Sequence, residues 1–311
     1  MENWGRRNLE QYIAPFMGYL ADHKRLSTAT LECYKRDVEQ FIGYLQERGV
    51  TAPSQLTRAG VKLYFTMLGN NGKAPATVAR SSVSLRAFFT YLQRERLLDQ
   101  EPGEWIESPR IDKSPPQTLT VAEVDLLLDM PAISQASGLR DKAMLELLYA
   151  TGIRVSELIA LNVQDVDTAM KFVRCTGGKE RIIPMGSVTA KWLEKYLGES
   201  RHILLGQSDA EVLFPNARGD RLSRQGFWKI VKKYGREAGI EADITPHTLR
   251  HSFAVHLLEG GADVKSVQEM LGHADMVTVQ MYLSKRKPNL KSVYEAFHPR
   301  AKAQASNLPA E

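Results

Sequence analysis

At 311 residues the chain exceeds ordinary single-domain size, so two domains joined by a linker are expected, each able to bury a core. A hydrophobic share of 43% with 25% charged residues describes a globular protein and excludes collagen-like and low-complexity classes. The balance of 41 Lys and Arg against 36 Asp and Glu, a net +5, permits a nucleic-acid partner without requiring one.

Met1 to Tyr12 mixes Glu, Arg and Asn, and no apolar run is long enough to cross a bilayer. The expectation is a cytoplasmic protein with no membrane partner. Cys33 and Cys175 are far apart in unrelated contexts, which predicts neither a disulfide framework nor paired metal-ligand spacing.

From Asn8 to Leu98 the pattern is helical throughout. Leu9, Tyr12, Ile13, Phe16, Met17 and Leu20 recur at helical spacing, as do Leu31, Tyr34, Val38, Phe41, Ile42 and Leu45. Gly49 closes the second of these helices. Thr57 to Leu68 forms a third, stopped by Gly69-Asn-Asn-Gly72, and Ala76 to Leu98 a fourth. Arg80, Arg86, Arg94 and Arg96 on that last segment make a positive stripe able to follow a phosphate backbone, or else a solvated face. Pro102, Pro109, Pro115 and Pro116 then argue against continued helix. This gives a first domain over 1–100 and a linker over 101–118.

The second domain, 119–300, opens on Thr120-Val-Ala-Glu123, the spacing of a capping box. A helix is expected from about Arg140 to Tyr149. Phe172–Thr176 and Arg181–Met185 read as strands around Gly177-Gly-Lys-Glu180, a hairpin with Lys179 near its tip. Thr245-Pro246 starts a helix that Gly260-Gly261 stops, which puts His247, Arg250 and His251 on one face. Asp263 caps another, ending at Gly272 just before His273, and a segment from Asp275 carries Tyr282. The fold class is therefore mainly α with a small β-hairpin, followed by a flexible tail over 301–311.

Breaking and rejoining a DNA strand without a metal needs a nucleophile, donors for the non-bridging phosphate oxygens and a proton donor for the leaving oxygen. Arginine suits the oxygens, because its planar fork donates two hydrogen bonds and stays charged. Arg154 and Arg250 are the candidates. His247 and His251 have the i, i+4 spacing of zinc helices, but no H-E-x-x-H or cysteine ligand accompanies them, so no metal is expected.

These blocks, Tyr149-Ala-Thr-Gly-Ile-Arg154-Val-Ser-Glu-Leu158, Gly-Gly-Lys179-Glu-Arg, His247-Thr-Leu-Arg250-His-Ser-Phe253, Leu271-Gly-His273 and Tyr282, resemble the tyrosine recombinase, or phage integrase, family. The resemblance implies a catalytic domain over 119–300 behind a SAM-like core-binding domain. It implies that Arg154 and Arg250 clamp the scissile phosphate, Lys179 protonates the leaving oxygen, and His247 and His273 assist. Tyr282 would become joined to the DNA 3′ phosphate, with neither cofactor nor ATP.

Glu157, three residues after Arg154, is expected to hold that arginine or His247, with an exposed helical Glu as the plain alternative. Lys229, Lys232 and Lys233 are, by position, candidates for backbone contacts together with Arg80 and Arg86. Cys175-Thr176 ahead of the glycines, and Leu-Ser-Lys after Tyr282, depart from the family pattern. Val293-Tyr-Glu-Ala-Phe-His298-Pro-Arg-Ala301 resembles the end of Xer-type recombinases. That implies chromosome or plasmid dimer resolution by a homo- or hetero-tetramer on two double-stranded DNA sites, residues 290–298 meeting a neighbour and a DNA translocase as a further partner. An integrase of a phage or mobile element, a type IB topoisomerase-like enzyme and a non-catalytic DNA-binding factor are the alternatives.

Overall fold

A computed structural model describes residues 8–24, 26–98, 102–106, 117–176, 180–206, 208 and 210–272. Lys179, His273, Tyr282, the hairpin tip at 177–178, residues 290–298 and the expected tail at 301–311 lie outside the described residues. The chain divides into two compact units, Met1–Lys113 and Ser114–Glu311.

In the first unit a 3-10 turn, Leu9–Tyr12, leads into α1 (Ile13–Lys24), followed by α2 (Thr28–Gln46), α3 (Arg58–Asn70) and α4 (Pro75–Arg94). Each start has a local cause. Ser27 and Thr57 accept from backbone amides three residues on, and Pro75 sits at the first position of α4, where its missing N–H costs nothing. The helices meet over a ring cluster in which Phe16 lies edge-on to Phe88, with centroids 5.2 Å apart, and Phe41 edge-on to Tyr64 at 5.0 Å.

The stretch expected to be linker adds to this unit. Pro102–Trp105 forms a 3-10 turn against α3 and α4, and Ile106 is buried in the same core. Prolines rule out a helix there, but two apolar residues on a short turn still find the groove between two helices. Arg86 fastens the turn by donating to the Ile106 carbonyl at 2.6 Å.

The second unit contains α5 (Val121–Asp129), α6 (Ala136–Thr151), α7 (Val155–Ala160), β1 (Val166–Asp167), β2 (Phe172–Cys175) and β3 (Arg181–Pro184). After these come α8 (Ser187–Glu199), α9 (Arg201–Leu205), α10 (Arg224–Glu237), α11 (Pro246–Glu259) and α12 (Val264–Leu271). The strands form one antiparallel sheet in the order β1-β2-β3, with Cys175 opposite Arg181. The hairpin expected from the sequence is thus joined by a two-residue third strand.

Helix α6 is the axis of this unit, buried on nearly every side and packed on α8 and α11. Its buried charges are answered internally. Arg140 donates to Asp141 at 2.7 Å and to the Pro215 carbonyl at 2.8 Å, while Lys142 meets Glu146 at 3.0 Å. Thr120 and Glu123 cap α5 reciprocally, and Asp263 caps α12. Thr245 caps α11, and Ser252 on that helix accepts from the Leu119 amide at 2.8 Å, tying α11 to the start of the unit.

Candidate active site

The site is assembled where the α6–α7 junction, β3 and the end of α12 come together. Helix α6 ends at Thr151, and Gly152 follows with φ +58°. Glycine is required there on two counts, the left-handed backbone and the absence of a Cβ, which would collide with the Phe253 ring of α11. The reversal delivers Arg154 as N-cap of α7 and turns the Gly152 carbonyl toward α11, where the Arg250 guanidinium donates to it.

Arg250 is almost fully buried, at 2% exposure, and its second Nη donates to the Leu271 carbonyl at 2.7 Å. Arg181 on β3 reaches the same helix end through Nε, donating to the Met270 carbonyl at 2.8 Å. The last carbonyls of an α-helix lack intrahelical partners and carry the negative end of its dipole, so two guanidinium groups are apt ligands for them. Together they fix where α12 stops. Gly272, with φ +72°, comes next, and a Cβ on it would lie 3.7 Å from both Arg154 Nη1 and Arg181 Nη1.

Glu157 joins these groups from below. It is buried at 3% exposure at the third position of α7. Its carboxylate accepts from the Arg154 backbone amide at 2.7 Å, from Arg154 Nη1 at 3.2 Å, and from both Nη atoms of Arg181 at 2.7 and 2.9 Å. Burial pushes this carboxyl up, but the Arg181 fork, the Arg154 amide and the two positive charges outweigh it and hold the group below its usual range. The reading of Glu157 as the holder of Arg154 fits this arrangement, and an exposed Glu does not.

His247 is exposed near the start of α11, one turn before Arg250, with its ring centroid 6.4 Å from that of His251. His256, further along, is bonded through Nδ1 to the Tyr149 hydroxyl at 2.8 Å. Among the described residues no group of three His, Cys, Asp or Glu side chains is placed to hold a metal ion. Arg154 and Arg181 thus share the Glu157 carboxylate, and Arg181 and Arg250 share the end of α12.

The basic residues named by position divide. Lys229 and Lys233 are exposed on α10, the latter 3.9 Å from Glu237, whereas Lys232 is largely covered and paired with Asp243. In the first unit Arg80 donates to the buried Asp37 at 2.6 Å, and Arg86 holds Ile106. Neither is the unencumbered charge that a backbone stripe suggests. Arg181 is the site residue that the sequence pattern does not single out; its neighbours in space mark it out. Its place directly after Glu180 on a strand facing the arginine blocks was the available signal.

A family model described as "Phage integrase family" matches residues 117–288, and one described as "Phage integrase, N-terminal SAM-like domain" matches 13–96. The chain belongs to the phage integrase family. Tyrosine recombinase XerD of Oceanobacillus iheyensis is 47% identical over 94% of this chain and 100% of its own length. The XerD of Listeria innocua is 45% identical over the same shares. Within the family the chain is a Xer-like site-specific tyrosine recombinase, a DNA strand-exchange enzyme. The fold agrees with that of the XerH recombinase bound to palindromic difH substrate, at TM-score 0.70 and 20% identity over 92% of this chain and 83% of that one. It also agrees with lambda integrase residues 75–356 bound to DNA, at 0.68 and 19% over 91% and 97%. The mainly α class with a small sheet and the SAM-like first domain are those expected of a tyrosine recombinase.

Proposed function

We propose that residues 119–300 are the catalytic domain and that Tyr282 attacks a DNA phosphate held by Arg154 and Arg250. The observation that carries this is the gathering of Arg154 and Arg181 on the Glu157 carboxylate and of Arg181 and Arg250 on the end of α12, since guanidinium groups held in place by buried partners are apt donors to a phosphate. The Tyr282 oxygen bonds to phosphorus and the bond from phosphorus to the 5′ oxygen breaks. Lys179 gives that oxygen its proton, and the tyrosine proton passes to His247. His273, the residue after Gly272, donates to a non-bridging oxygen. The 3′-phosphotyrosyl ester keeps the energy of the phosphodiester, so rejoining is the same step in reverse, with no cofactor.

Double-stranded DNA is the substrate, gripped by the first domain as well as the second, with Lys229 and Lys233 adding backbone contacts. Solved relatives include a lambda integrase tetramer bound to a Holliday junction, and four protomers on two sites is the assembly proposed here. Dimer resolution in the cytoplasm, with a sister recombinase or a DNA translocase as further partners, is the role proposed for this Xer-like chain. The test is trapping on a nicked suicide duplex: wild type forms a covalent adduct, and Tyr282→Phe forms none. An adduct with Tyr282→Phe would overturn the nucleophile, and sequencing the trapped genomic sites identifies the target.

A further inference from the structure

We infer that Arg181 is a positioning residue of this active site, holding Arg154 and the exit of α12 in one fixed relation by gripping Glu157 and the Met270 carbonyl at once. The inference rests on the reading of Arg154 and Arg250 as the phosphate clamp. Three observations carry it. All three of its nitrogens are engaged, two on the Glu157 oxygens and one on the end of α12. Its side chain is only 10% exposed against 29% for Arg154, so of the two arginines on Glu157 it is the inner one. It also belongs to β3, two residues after Lys179, so one guanidinium links the strand that leaves the lysine, the helix that Arg154 caps and the carbonyls that precede His273.

The bidentate fork matters because of what Glu157 would otherwise do. Arg181 holds the two carboxylate oxygens at 2.7 and 2.9 Å, and the Arg154 side chain shares one of them at the longer 3.2 Å. A planar fork matched to a carboxylate is the stronger of two competing pairs. Without it, a buried carboxylate with one remaining guanidinium draws that group inward, away from the position a phosphate needs. Cys175, opposite Arg181 in the ladder, offers no rival anion: burial pushes its thiol up to about 11 and keeps it neutral.

The test uses the full-length protein in single-turnover adduct formation on a nicked duplex carrying the genomic site to which wild type becomes joined. Arg181→Met is expected to bind that duplex within about threefold of wild type and to form adduct at least about tenfold more slowly. Adding Glu157→Gln removes the charge that pulls on Arg154, so Glu157→Gln/Arg181→Met should be at least about threefold faster than Arg181→Met alone. A residue that merely glues the fold would give no such recovery. Adduct formation by Arg181→Met at the wild-type rate, or a double variant as slow as the single one, overturns the inference. If Arg181→Met does not fold, the double variant, which buries no lone carboxylate, is compared with Glu157→Gln, and equal rates overturn it. Arg154→Ala separates the two levels: a normal rate for that variant sinks the clamp reading, whereas a slow Arg154→Ala beside a normal Arg181→Met sinks only the role of Arg181.

Discussion

Both units of this protein bury a carboxylate that arginine answers. In the first, Asp37 on α2 accepts from Arg80 at 2.6 Å and from the Ser84 hydroxyl at 2.7 Å, both on α4. In the second, Glu157 accepts from Arg154 and Arg181, with Arg250 beside them on the same helix end. The first pair is balanced, one charge against one, and Arg80 is 41% exposed, so solvent carries part of its charge. The second is shared, one carboxylate between two guanidinium groups, and Arg181 ties it to the end of α12. A matched pair is a staple between helices, whereas a carboxylate shared by two guanidinium groups fixes both in one relation, the preorganisation that the proposed site needs.

Substitution at the second cluster should break that contrast most sharply. Arg154→Ala and Arg250→Ala are each expected to slow adduct formation about 10²- to 10³-fold, the loss that follows removal of one preorganised donor to a developing charge. Arg250→Ala should also lower stability by about 1–3 kcal/mol, because the Gly152 and Leu271 carbonyls lose their buried donor. Arg80→Ala should leave the cleavage rate per bound complex unchanged. Comparing single-turnover rates with urea unfolding separates the two effects, and a cleavage defect in Arg80→Ala would erase the distinction between staple and site.

Removing the carboxylates sharpens it further. Asp37→Asn and Glu157→Gln are each expected to cost about 1–3 kcal/mol in chemical denaturation, since a buried hydrogen-bonded charge is replaced by an amide of similar shape. Only Glu157→Gln should also slow cleavage. The acid response follows from the direction of the Glu157 shift. Its folded pKa lies below the unfolded value of about 4.3, so its contribution is complete above that value and fades as pH falls through the folded pKa. Stability measured across that acid window should therefore fall less steeply in Glu157→Gln than in wild type.

The smallest effect concerns affinity. Lys229→Ala with Lys233→Ala should weaken DNA binding uniformly across sequences and reduce the slope of log affinity against log salt by about one for each lysine that meets a phosphate. Lys232→Ala should change that slope less, because its charge is already turned to Asp243. An equal change for all three would show that the pairing with Asp243 opens on DNA.

The local frame of the candidate site was legible in the primary structure. The spacing of Arg154 and Glu157 at a helix start, the Thr245-Pro246 cap that orients His247 and Arg250, and the Asp263 to Gly272 helix are local features whose signals lie within a few residues of one another. The roles of Arg80 and Arg86 were not legible, because a helical arginine reads the same whether it faces phosphate, a buried aspartate 43 residues away or a carbonyl 20 residues on. The same holds for the Trp105 and Ile106 turn within the expected linker.

By itself, then, the sequence determined the helical class, the two units, the order of the chemical blocks and the residue types able to handle a phosphate, since capping, periodicity and glycine turns act over short range. Tertiary structure alone decided which charges meet. That Arg181 locks Glu157 and the end of α12, that Arg250 spans Gly152 and Leu271, and that Arg80 is consumed by Asp37 depend on strands and helices brought together from distant positions, where a pairing leaves no local trace in the chain.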